Sequence, residues 1–79
     1  MKSIEKINQL KYNMLTLSNA LRGYSNSKAV NEVDRVEGEL KKLEETYSGY
    51  VLSDDIKDEY IINEFNKLVY YVFIFYIVA

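Results

Sequence analysis

The chain has 79 residues, a net charge of −2, no cysteine and no histidine. That length allows one domain with a marginal core, and the missing residue types exclude disulfides, cysteine-based zinc sites, Ser-His or Cys-His nucleophiles and the commonest general base. Residues 1–24 carry four basic and one acidic side chain and residues 25–79 six basic and eleven acidic, so no basic stripe exists to grip phosphates and nucleic-acid binding is not expected.

Zero prolines and three glycines favour long, uninterrupted helices. The stretch "MKSIEKINQL" has a basic start but no apolar run behind it, so no secretory signal is expected there. With no cysteine, a cytoplasmic location is the expectation.

The first helix is predicted over about residues 4–22. Ile7, Leu10, Met14, Leu17, Leu21 and Tyr24 are spaced 3-4-3-4-3, an a/d seam that Ile4 extends backward. Ser3 is a candidate N-cap, Glu5 suits the first turn, and Gly23 is the expected stop. "YSNS" follows as a turn.

A second helix is predicted over about residues 28–47. Ala29, Val33, Val36, Leu40, Leu43, Tyr47 and Tyr50 run 4-3-4-3-4-3, and Ser48 and Gly49 are expected to end it. Glu37 with Lys41 has the favoured i,i+4 order. Gly38 falls opposite the seam. It is either a smooth spot for a partner's backbone or, the plainer reading, a weak position on a solvated face.

The third helix is predicted over about residues 54–79, with Ser53 or Asp54 as cap and acids in its first turns. Those acids fit no calcium loop, and no metal or other cofactor is expected. Ile61, Phe65, Leu68, Val72, Phe75, Tyr76 and Ala79 fall on one face. The opposite face starts with Asn63, Asn66 and Lys67 and becomes Tyr70, Tyr71, Ile74, Ile77 and Val78. The helix is thus amphipathic at first and apolar all round through "LVYYVFIFYIVA", and such a helix needs cover on every side. Strand is the rival for this stretch, but no other segment reads as a strand to pair with it.

The fold expected is therefore all-α: a single antiparallel, coiled-coil-like three-helix bundle with a long apolar C-terminal helix. Two helices cover one face of the third and leave Tyr70, Tyr71, Ile74, Ile77 and Val78 as the candidate partner-binding residues. The occupant is a second copy in a homodimer or a different protein. Twelve apolar residues span about 18 Å against about 30 Å of hydrocarbon, and extending backward brings in Lys67, Asn66, Glu64 and Asn63, so a transmembrane span is not expected, while shallow membrane contact stays open. Glu37, Glu44, Glu45, Asp54, Asp55 and Asp58 make a candidate acidic patch that could mimic nucleic acid, diluted by Lys41, Lys42 and Lys57. Adjacent carboxylates on a helix point about 100° apart and do not converge on a substrate, so no catalytic residue is assigned and a non-enzyme is expected.

Two patterns bring families to mind. Leu40 and Tyr47 have the spacing of the leucine and tyrosine of the helical-hairpin phosphatases that act on sporulation response regulators, and the hairpin resembles theirs. This chain reads Glu37-Gly38-Glu39-Leu40-Lys41, without the serine and final acid of that family's S-Q-E-L-D motif, so the resemblance implies no activity. The element order and "ELKKLEETYSGYVLSDDIKDEYIINEFNKLVYYVF" resemble the immunity proteins of class II bacteriocins, which implies a soluble helical bundle acting near a membrane receptor. The function expected is a small intracellular regulator or inhibitor that docks on a larger protein, in the style of a bacterial or phage accessory protein. The alternatives are an immunity-like bundle and a self-assembling structural dimer.

Overall fold

A computed structural model describes residues 2–52 and 58–78, with side chains from Glu5 to Tyr50 and from Asp58 to Val78. Three helices follow one another: α1 (Lys2–Ser27), α2 (Val30–Leu52) and α3 (Glu59–Val78). There is no strand among the described residues, and the apolar stretch is helical through Val78. The bundle measures 39 × 18 × 16 Å.

Cross-helix contacts fix an up-down-up topology. Asn13 of α1 donates to Thr46 of α2, while the Gly23 backbone, ten residues on, lies beside Glu32 and Arg35; α2 therefore runs back along α1. Tyr24 packs edge-on against Phe75, and Tyr47 stacks on Phe65, so α3 runs parallel to α1 and antiparallel to α2. The bundle is all-α and antiparallel, as its sequence periodicity leads one to expect.

The seams fill the core. Leu10, Met14, Leu17 and Ala20 of α1, Val36, Leu43 and Tyr50 of α2, and Ile61, Leu68, Val72 and Phe75 of α3 are buried. Ile7, Leu21, Tyr24, Val33, Leu40, Tyr47 and Phe65 pack against them half-buried. Tyr47 and Phe65 lie ring on ring, centroids 3.6 Å apart and 3° from parallel, so α3 reaches α2 through large side chains.

Asn13 is the buried polar residue of this core. Its Nδ2 donates to Thr46 Oγ1 at 3.1 Å and to the Lys42 carbonyl at 3.4 Å, while its Oδ1 accepts from Gln9 Nε2 at 3.1 Å. A polar residue satisfied in only one alignment penalises slipped ones, so Asn13 sets the register of α1 on α2.

Helix ends differ from the local signals. Ser3 lies inside α1, not at its cap, and α1 continues past Gly23 to Ser27. The left-handed residue that ends it is Lys28, at φ 56°. Its N–H donates to the Tyr24 carbonyl at 2.7 Å, the bond of an αL C-cap. Gly23 serves a different purpose. A Cβ there would stand 3.1 Å from Glu32 Oε2 and 3.2 Å from Arg35 Nη1, so the glycine lets the Glu32–Arg35 pair lie close over α1. Likewise α2 runs through Ser48 and Gly49 to Leu52, because its seam still has Tyr50 to bury. Gly38 has open space around it. Three ion pairs on the helix faces, among the described residues, are i,i+3: Glu32–Arg35, Glu39–Lys42 and Glu64–Lys67. The geometry does not join Glu37 to Lys41.

The described part of α3 starts at Glu59 with Asp58 as N-cap, not at residue 54. Asp58 Oδ1 accepts the Tyr60 N–H at 2.9 Å and its carbonyl accepts that of Ile62. The proposed caps Ser53 and Asp54 lie outside the described residues.

Candidate interaction face

Two seams run along α3. The inner one is Ile61, Phe65, Leu68, Val72 and Phe75, spaced 4-3-4-3, all buried or half-buried. The outer one is Glu59, Asn63, Asn66, Tyr70, Phe73 and Ile77, spaced 4-3-4-3-4, all exposed. At 100° per residue the two stripes lie roughly 160° apart. The outer stripe is polar in its first half and apolar in its second.

Around the apolar half, the exposure is broad. Tyr70, Phe73 and Ile77 are each exposed by more than 60%. Val69, Ile74 and Tyr76 flank them, also exposed, making one contiguous surface of six large apolar side chains. Isolated exposed hydrophobics are ordinary, whereas a contiguous patch marks a contact surface.

Each predicted partner-binding residue has a place here. Tyr70, Ile74 and Ile77 sit on this outer surface. Tyr71 and Val78 are exposed too, but they turn toward the α1 side, where Tyr71 edges a groove of about 570 Å³ between α1 and α3. Phe73 and Val69 belong to the surface and were not among the expected residues. Tyr76, expected in the core beside Phe75, is half-exposed instead. It lies one residue past the core position and is turned off the inner stripe. Ala79 lies outside the described residues.

The edges of this surface differ in charge. On the α2 side Glu37 and Glu44 stand near Tyr76: partial burial of its ring, then the two carboxylates, push its phenol above the ordinary pKa. On the α1 side the groove carries Lys11 and Lys67. Lys67 donates to Glu64 at 3.1 Å, and that bond, with the charge of Glu64, raises its pKa.

Four residues of the expected acidic patch are described. Glu37, Glu44 and Glu45 are exposed along α2, with Lys41 on the same face as Glu37 and Glu44. Asp58 caps α3, alongside Tyr50 and so at the opposite end of α2 from Glu37. Asp54 and Asp55 lie outside the described residues. No group of three metal-ligating side chains occurs among the described residues.

By length and composition alone, α3 meets the requirement for crossing a membrane. It has 20 residues, with a mean hydropathy of 1.4 over its most apolar window, and is about 30 Å long. That length is reached only by including the polar residues that the sequence sets against a span. The whole helix is longer because Asn63, Glu64, Asn66 and Lys67 are part of it.

No protein-family model, curated protein or solved structure matches this chain. The two family resemblances therefore rest on sequence pattern alone.

Proposed function

We propose that this chain is a non-enzymatic protein-interaction module that docks through the outer surface of α3. One observation carries the reading: Val69, Tyr70, Phe73, Ile74, Tyr76 and Ile77 are exposed together on a helix whose opposite seam is already buried. A helix with two seams is suited to lie between its own bundle and another helical surface. Tyrosines suit such a surface, because the ring buries apolar area while the hydroxyl stays wet. The module's role is to regulate or inhibit a larger cytoplasmic protein. The absence of histidine and cysteine and of a triple metal-ligand cluster among the described residues supports a role by contact.

The test is photo-cross-linking in the native cell, with a benzophenone amino acid at Phe73 and, as control, at the exposed Glu45. Protein adducts are expected from position 73 and not from 45, and they should vanish when Ile77→Asp is added. Recovery of lipid adducts alone from position 73, or of no adduct, would overturn the reading.

A second reading is membrane contact, favoured by the length and hydropathy of α3 and in line with an immunity-like bundle near a membrane receptor. A full span would expose the inner seam and carry Glu64 and Lys67 into hydrocarbon, so shallow contact is its better form. Co-sedimentation of the intact chain with phosphatidylcholine vesicles, lost on Ile77→Asp, would support it.

A further inference from the structure

We infer that the outer seam of α3 is filled by the same seam of a second copy, the two α3 helices running parallel and in register. This rests on the reading that the outer α3 surface docks protein, and it names the chain that docks there. Three observations carry it.

The first is spacing. Glu59, Asn63, Asn66, Tyr70, Phe73 and Ile77 recur 4-3-4-3-4, the repeat of a two-helix seam. In a parallel, in-register pair each residue meets its own counterpart: Tyr70 on Tyr70, Phe73 on Phe73, Ile77 on Ile77. Asn66 then sits beside the apolar layers. Asn63 and Asn66 each meet their own counterpart in that alignment, and asparagine in such a seam specifies register.

The second is charge. The Tyr76 edge carries Glu37 and Glu44 of α2 with Lys41 between them, while the opposite edge carries Lys11, Lys67 and Glu64, the last paired with Lys67. A two-fold axis along the helices brings the α2 side of one copy against the α1 side of the other, so the net-acidic edge of one faces the net-basic edge of the other. Tyr47 stacks on Phe65, which places Glu44, three residues earlier in the antiparallel α2, near the level of Lys67. A two-fold axis across the helices would set the net-acidic edges together and the net-basic edges together. Like charges held together oppose that arrangement.

The third is area. The six exposed apolar side chains on this surface offer roughly 100 Å² each, so burying them would remove roughly 1,200 Å² over both copies. That lies at the lower end of the range for specific interfaces. A small domain with a marginal core gains most from such cover. A second copy covers the same six side chains that a larger protein would, so the two compete for this surface.

Because the chain has no cysteine, single cysteines can report the geometry. Asn66→Cys and Phe73→Cys are made separately, with exposed Asn19→Cys as control, and helicity is checked by circular dichroism. Molar mass is measured by light scattering across a dilution series. The expected result is a dimer, with Asn66→Cys and Phe73→Cys both oxidising to covalent dimers and Asn19→Cys staying single. Phe73→Asp combined with Ile77→Asp should weaken association at least a hundredfold with helicity kept. Cross-linking through Phe73→Cys but not Asn66→Cys would overturn the parallel register. A monomer at every concentration, with no cross-link, would overturn the second copy. The docking reading would survive that last outcome if position 73 still gave adducts to other proteins in the cell.

Discussion

The hydroxyl oxygen of Tyr50 accepts the backbone N–H of Asp58 at 2.7 Å. Tyr50 is 1% exposed and belongs to the core of α2, while Asp58 is the N-cap of α3. One side chain thus packs the core and holds the entry to the third helix. Tyr50→Phe keeps the packing and leaves that N–H without its acceptor. It should cost about 1–2 kcal/mol of stability, read from urea unfolding. Asp58→Ala removes the cap and should cost about 1 kcal/mol. A Tyr50→Phe variant as stable as the parent would show that the bond contributes nothing.

Lys28 occupies the left-handed region and stacks its ammonium 5.3 Å from the centroid of the Tyr24 ring. Glycine relieves the backbone cost, about 1 kcal/mol, and forfeits the cation–π contact, about 0.5 kcal/mol. Lys28→Gly should therefore raise stability by about 0.5 kcal/mol. Lys28→Met keeps the backbone strain and loses the cation, so it should lower stability by a similar amount. The two variants moving in the same direction would contradict this division.

Gly38 and Gly23 are both helical, with different surroundings. Gly38→Ala meets nothing within 4 Å and should gain about 1 kcal/mol from helix propensity. Gly23→Ala gains the same propensity but crowds the Glu32 and Arg35 side-chain ends, so its net gain should be smaller. Equal shifts in the unfolding midpoint would show that the close approach at Gly23 is without consequence.

Tyr76 is held above the ordinary tyrosine range by partial burial and by Glu37 and Glu44. The folded state keeps this proton longer than the unfolded chain does. Its contribution to stability is thus unchanged below the unfolded pKa of about 10, and it falls as pH rises from there toward the folded pKa. In a spectroscopic tyrosinate titration, Tyr76→Phe should remove a late-ionising component. Glu44→Gln should move that component to lower pH. A titration that keeps its late component without Tyr76 would contradict the assignment.

Much of the fold was legible because helix faces repeat every 3 or 4 residues. Leu10, Leu17, Val36, Leu43, Leu68 and Val72 could be placed inside by spacing alone, and all are buried. The helix ends were harder. Gly23 and Gly49 carry a local stop signal, but Tyr24 and Tyr50 each had core still to fill, and burial outweighed propensity. Lys28 carries no sequence sign of a left-handed cap. The burial of Asn13 was readable, because it stands three residues after Leu10 and four before Leu17, a seam position. On α3 the expected outer residues Tyr70, Ile74 and Ile77 are exposed, yet Phe73 was overlooked and Tyr76 was placed inside. Where every residue is apolar, spacing no longer contrasts with polarity, and only the packing of Phe75 against Tyr24 shows which way the helix is turned.

The two seams of α3 share one backbone, and this constrains how the gene can change. A substitution can alter one seam and spare the other. An inserted or deleted residue swings everything after it by about 100°, and it breaks both seams at once. Only a change of a whole heptad keeps both in phase. Descendants of this chain should therefore differ freely in the lettering of α3 while its length stays fixed or changes in sevens.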